Sequence, residues 1–167
     1  MKFSKISDSD NGDIIRLKDG DSVQGVLRGE PFEFYSHWGQ DKTYRCVGRD
    51  VCDMCKAGNK AAFRFKLNMV TKDDGKLVVK VIENGFKLYK QLFDLNEGGW
   101  DLEKNFIKIS RSGKGKNDTV YSAVPIPGGV PPDVLAKIMA LETHSLTEEK
   151  PAEREPGQDE DDVPSQW

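Results

Sequence analysis

The chain has 167 residues, 32% charged and 37% hydrophobic, enough for one ordinary core with an extension. No apolar run approaches the roughly 20 residues that cross a bilayer, and MKFSKISDSDNGD carries no apolar signal segment, so a cytoplasmic protein with reduced thiols is expected. The net charge of −3 is uneven: from Glu148 onward eight acids stand against Lys150 and Arg154, a net of −6, which leaves +3 on residues 1–147.

SVQGVLRG (22–29) and PFEFYSHW (31–38) read as strands, with Gly29 and Pro31 marking a bend or bulge. The segment CVGRDVCDMCKAG (46–58) is polar and turn-rich. AAFRFKLNMV (61–70) alternates, with Phe63, Phe65, Leu67 and Met69 on one face and Arg64, Lys66 and Asn68 on a basic outer face. Asp74-Gly75 predicts a hairpin turn into KLVVKVIE (76–83). In GFKLYKQLFDLNEGG (85–99) the period becomes helical, with Phe86, Tyr89 and Phe93 beside Leu92 as the core face and Gly98-Gly99 ending the helix. NFIKISRS (105–112) and DTVYSAVPI (118–126) are strands joined by SGKGKND. PPDVLAKIMALE opens a short helix that packs through Val134, Leu135, Ile138 and Leu141. Beyond Thr143 the composition requires no packed structure.

The cysteine segment holds all three cysteines, Cys46, Cys52 and Cys55, and His37 precedes the first by nine positions. Two cysteines separated by two residues wrap a metal in a tight knuckle, and Gly58 suits the turn that follows. Three cysteines and a histidine are a common structural zinc set. Soft donors of this kind disfavour magnesium and calcium, and iron–sulfur clusters more often use four cysteines. Asp50 and Asp53 are weaker substitutes for His37. A redox pair in a βαβ unit does not fit the surrounding pattern. The expected cofactor is structural Zn2+ held by His37, Cys46, Cys52 and Cys55.

A helix between the third and fourth of five antiparallel strands is the order of an oligonucleotide-binding (OB) barrel, in which ligand lies across strands two and three and between two loops. The expected fold is therefore mainly β: a five-stranded OB barrel with a zinc-binding loop between its first and second strands and a disordered acidic tail. The expected domains are 1–142, with a zinc subdomain at about 37–58, and a flexible tail at 143–167.

These features resemble the single-stranded DNA-binding proteins of tailed phages, the T4-type helix-destabilising family. The matching residues are His37, Cys46, Cys52 and Cys55 in that order, followed by FRFKLNMVTKDDGKLVVKVIENGFKLYKQLFDLNE. The resemblance implies an OB barrel with a zinc subdomain that coats single-stranded DNA in replication, recombination and repair. The ligand spacings are shorter here, and MKFSKIS offers only Lys2 and Lys5 where that family has a strongly basic segment, so at most weak self-association on DNA is expected. DEDDVPSQW also looks like the tip of bacterial single-stranded DNA-binding proteins. Asp159, Glu160, Asp161, Asp162, Val163, Pro164 and Trp167 would then recruit replication and recombination proteins.

Binding single strands without sequence preference needs cations along the phosphates and aromatic rings under the bases. The candidate cations are Lys42, Arg45, Arg49, Lys56 and Lys60 around the zinc loop, Arg64 and Lys66 on the second strand, and Lys80, Lys108, Arg111, Lys114 and Lys116 later in the chain. The candidate stacking rings are Tyr35, Trp38, Tyr44 and Tyr121, whose polar neighbours imply exposure, while Phe63, Phe65, Phe86, Tyr89 and Phe93 suit the core better. A zinc-ribbon module for duplex DNA or transcription is the alternative. With His37 given to zinc and His144 at the tail boundary, no open metal site with a general base is found, so no catalytic residue is expected.

Overall fold

In a computed structural model of the chain, residues 14–39, 42–115 and 117–146 are described. The strands are β1 (Ser22–Gly39), β2 (Lys42–Arg45), β3 (Ala62–Asp73), β4 (Lys76–Gly85), β5 (Ile107–Ser112) and β6 (Val120–Pro125). The helices are α1 (Asp53–Lys56), α2 (Phe86–Glu97) and α3 (Pro132–Ala140). None of them is long and apolar enough to cross a membrane.

The fold is mainly β, built on one open antiparallel sheet of six strands ordered β4-β3-β1-β5-β6, with β2 paired to β1. The two expected strands at 22–29 and 31–38 are one 18-residue strand. Gly29 and Pro31 make a bulge in it, because the pairing with β3 shifts between Arg28 and Phe32. The first half of β1 pairs with β5 and β3, and the second with β3 and then β2.

The inner face of the sheet carries Leu27, Phe65, Leu67, Met69, Ile82, Ile107 and Ile109, and α2 closes it with Leu88 and Leu92. Because successive side chains alternate across a strand, the neighbours Val26 and Val70 point outward and are covered by Ile138 of α3. The sheet is thus buried on both sides at this end. α2 touches β6 as well as β3 and β4, so the sheet curls around the inner core. The free edges are covered locally: Ile15 N–H donates to Val81 O on β4 at 2.9 Å. On β6, the Gln91 amide donates to Tyr121 O at 2.8 Å and accepts from Ala123 N–H at 2.9 Å.

The face of α2 differs from the expected one. Phe86 and Phe93 are 57% and 51% exposed, while Leu88 and Leu92 are buried. At 3.6 residues per turn the two phenylalanines lie well round the helix from the leucines, and Tyr89 sits between as a half-buried ring edge-on to Phe63 and Phe65. Aromatic size misleads there, since the leucine stripe faces the sheet.

The body also continues beyond the point where composition turned polar. Asn68 exchanges two hydrogen bonds with the His144 backbone at 3.0 Å, His144 Nε2 lies 2.9 Å from Val79 O, and Leu146 is buried. The expected tail residues from Asp159 to Trp167 lie outside the described residues.

Gly25 sits in the central strand between β3 and β5. A Cβ there would press into Val70 O and the Met69 side chain. Gly25→Ala is expected to destabilise the chain by about 1–3 kcal/mol through overpacking, read as a lowered thermal midpoint.

Candidate metal centre and the cleft beside it

Beyond the edge of β3, β1 runs on as a two-stranded ribbon with β2, which pairs His37 with Tyr44. Cys46 follows directly, fixed by its N–H to Tyr35 O at 2.8 Å. Gly48, at φ +124°, turns the chain, and its carbonyl accepts from Cys52 N–H at 2.8 Å. The single turn of α1 carries Cys55, and Gly58, at φ +88°, closes the knuckle in a conformation that a Cβ disfavours. Tyr44, Cys52 and Met54 form a small core of their own beneath it.

The knuckle brings His37, Cys46, Cys52 and Cys55 together, with all four donor atoms within 4.8 Å of one another. Cys46 Sγ is 3.5 Å from Cys55 Sγ, and His37 Nε2 is 3.5 Å from Cys52 Sγ and 3.4 Å from Cys55 Sγ. A tetrahedral zinc, with bonds of about 2.3 Å to sulfur and 2.0 Å to nitrogen, sets such donors roughly 3.5–3.8 Å apart. The four side chains are therefore positioned to bind a metal ion, and zinc fits their spacing and softness.

The imidazole is oriented for that role. Its Nδ1 lies 3.1 Å from Asn59 Oδ1, an acceptor, so Nδ1 carries the proton and Nε2 presents its lone pair to the sulfurs. Asn59 is held in turn by its Nδ2 donating to Trp38 O at 3.1 Å. The thiols are not alike. At Cys52 burial alone would raise the pKa, but N–H groups of Cys55, Met54 and Val47 and the Cys46 thiol outweigh it and lower it to about 7. Cys55 is pushed up to about 11 by burial and by its two thiol neighbours. Three thiolates share this space only if a cation joins them.

Asn59 was absent from the expected site, although its place four residues after Cys55 is where a knuckle turns back toward its ligands. Asn59→Ala is expected to weaken metal affinity about 10- to 100-fold, measured by competition with a chromophoric chelator.

Beside the centre lies an open cleft of ≈ 750 Å³, lined by Tyr35, Arg49, Asn59 and Lys60 along with the outer sides of Cys46 and Cys55. Tyr35 is 53% exposed, and Trp38 at the end of the ribbon is 57% exposed. Lys56 is exposed on α1, and β2 begins at Lys42.

Other expected residues are placed elsewhere. Tyr44, expected to be exposed, is only 3% exposed because its ring forms the floor of the knuckle. Lys66, expected on a solvated face, is also 3% exposed, paired with Glu83 Oε1 at 3.6 Å. Arg64 pairs with the same carboxylate at 3.4 Å and lines a smaller cleft of ≈ 240 Å³ with Arg111 and Tyr121. Arg111 is tied there by a 2.7 Å bond to Leu17 O, and its guanidinium lies 5.9 Å from the Tyr121 ring. Lys80 pairs with Asp73 at 3.5 Å. Lys108 and Lys114 are exposed on β5 and in the β5–β6 turn, and Lys116 lies outside the described residues. Arg45 is half-buried over Phe32 and Phe34, two rings absent from the expected set.

Comparison with known protein families, with curated proteins and with solved structures finds no match to this chain.

Proposed function

We propose that the chain is a non-catalytic, sequence-independent single-stranded DNA-binding protein whose metal is structural zinc. One observation carries this reading: an exposed tyrosine and two cations, Arg49 and Lys60, line one cleft beside the knuckle that gathers His37, Cys46, Cys52 and Cys55. Rings for bases and cations for phosphates are the chemistry of sequence-tolerant single-strand binding.

The strand order supports an OB barrel as the frame. β1, β3, β4, β5 and β6 serve as its five strands, α2 falls between the third and fourth, and the knuckle lies in the loop joining the first two. Four protein ligands leave the metal no open position, so it orders the loop rather than activating water. In this reading the chain is a relative of the phage T4-type family, working in the cytoplasm of a host cell. It would coat and protect single strands during replication, recombination and repair. The acidic residues Asp159–Asp162 with Val163, Pro164 and Trp167 would recruit partner proteins.

Binding of labelled oligo(dT), competed by matched duplex, tests it. The wild-type chain is expected to bind the single strand in preference to the duplex, and Tyr35→Ala to weaken that binding. Equal competition by matched duplex, or no binding of oligo(dT), overturns the reading.

A further inference from the structure

Beyond the bulge of β1, Phe32 and Phe34 lie opposite Lys66 and Arg64 of β3. That register puts them on the side away from Phe65 and the inner core. Their rings are 5.9 Å apart and 24° from parallel. The Arg45 guanidinium of β2 lies 5.0 Å from the Phe32 centroid and 5.8 Å from that of Phe34. Lys66 Nζ is 5.8 Å from the Phe34 centroid and is held by Glu83. Phe32, Phe34 and Arg45 are each half-buried residues. Trp38 stands four residues further along the same strand with the same parity, about 13 Å away at about 3.3 Å per residue.

We propose that Phe32, Phe34 and Arg45 form a second base-stacking tract for single-stranded nucleic acid, on the face of β1 opposite the Tyr35 cleft, with Trp38 continuing it. The tract rests on the single-strand reading above. Phenyl rings and a planar guanidinium offer flat surfaces that take any unpaired base. Arg45 does both jobs, because its plane stacks while its charge meets the adjoining phosphate. Lys66 is a positioning residue that supports the Phe34 ring from within the sheet.

The test measures affinity for labelled oligo(dT) in the full chain at several salt concentrations. Phe34→Leu keeps an apolar side chain and removes the flat ring; Arg45→Lys keeps the charge and removes the plane. Each is expected to weaken binding about 5- to 100-fold. The slope of log affinity against log salt should stay unchanged, since no phosphate charge is lost. Metal content and thermal midpoint report whether each variant is folded. Wild-type affinity in both folded variants overturns the tract while leaving the functional reading intact. Failure of the wild-type chain to bind oligo(dT) overturns that reading first, and the tract with it. If Phe34→Leu does not fold, Arg45→Lys decides the matter alone.

Discussion

Replacing Cys52 and Cys55 together by serine is expected to lower the thermal midpoint by roughly 5–15 °C. The two sulfurs belong to a set of four donors within 4.8 Å of one another, which a bound metal would tie into one cross-linked loop from residue 37 to 55. Loss of such a staple costs about 2–5 kcal/mol, and each kcal/mol moves the midpoint of a chain this size by about 2–4 °C. The cost is local in origin. His37, 1% exposed, would keep its place among buried groups without its metal, and the small core of Tyr44, Cys52 and Met54 would lose its cross-link. The two main cores do not include the knuckle, so β-sheet circular dichroism at room temperature should survive the double substitution. A strong chelator should reproduce the shift in the wild-type chain, and returned zinc should reverse it. A midpoint indifferent to both cysteines and chelator would mean that the four side chains hold no ion.

The second large effect separates rings from charges in the cleft. Tyr35→Ala is expected to weaken oligo(dT) binding by about 1–3 kcal/mol with little change in salt dependence, because a stacked base is lost and no phosphate contact. Arg49→Gln combined with Lys60→Gln is expected to do the reverse. Each phosphate contact on a single strand contributes about 0.7 to the slope of log affinity against log salt, so that slope should fall by about 1.4. Equal salt slopes in all three proteins would remove the cleft from the binding surface.

Much of the frame was legible in the sequence, because strand alternation and turn chemistry are local signals. Phe65, Leu67 and Met69 share the inner face as their alternation implies, although β3 is buried on both faces from Phe65 to Thr71 rather than half-buried. Asp74-Gly75, with Asp74 at φ +50° and Gly75 at φ +78°, turns the hairpin as its residue types require. The cluster of His37, Cys46, Cys52 and Cys55 was legible in part for the same reason, since spacing along the chain alone brings the Cys52–Cys55 pair together. What escaped depends on contacts made elsewhere. The four-residue β2 carries no strand signal of its own and exists because β1 overshoots the sheet. Tyr44 looked exposed among polar neighbours, yet it floors the knuckle. Phe86 and Phe93 looked like core, yet the register of α2 on the sheet is set by Leu88 and Leu92. Lys66 is buried because its partner Glu83 comes from the adjacent strand, and Phe32 and Phe34 meet Arg45 only once β2 folds back.

The most direct test of the central claim is a fluorescence-anisotropy titration of the full chain with labelled single-stranded oligonucleotide, competed by matched duplex at low and high salt. Tight binding that prefers the single strand and weakens steeply with salt is the result this account predicts. Equal or better competition by duplex, or no binding at low salt, would contradict it.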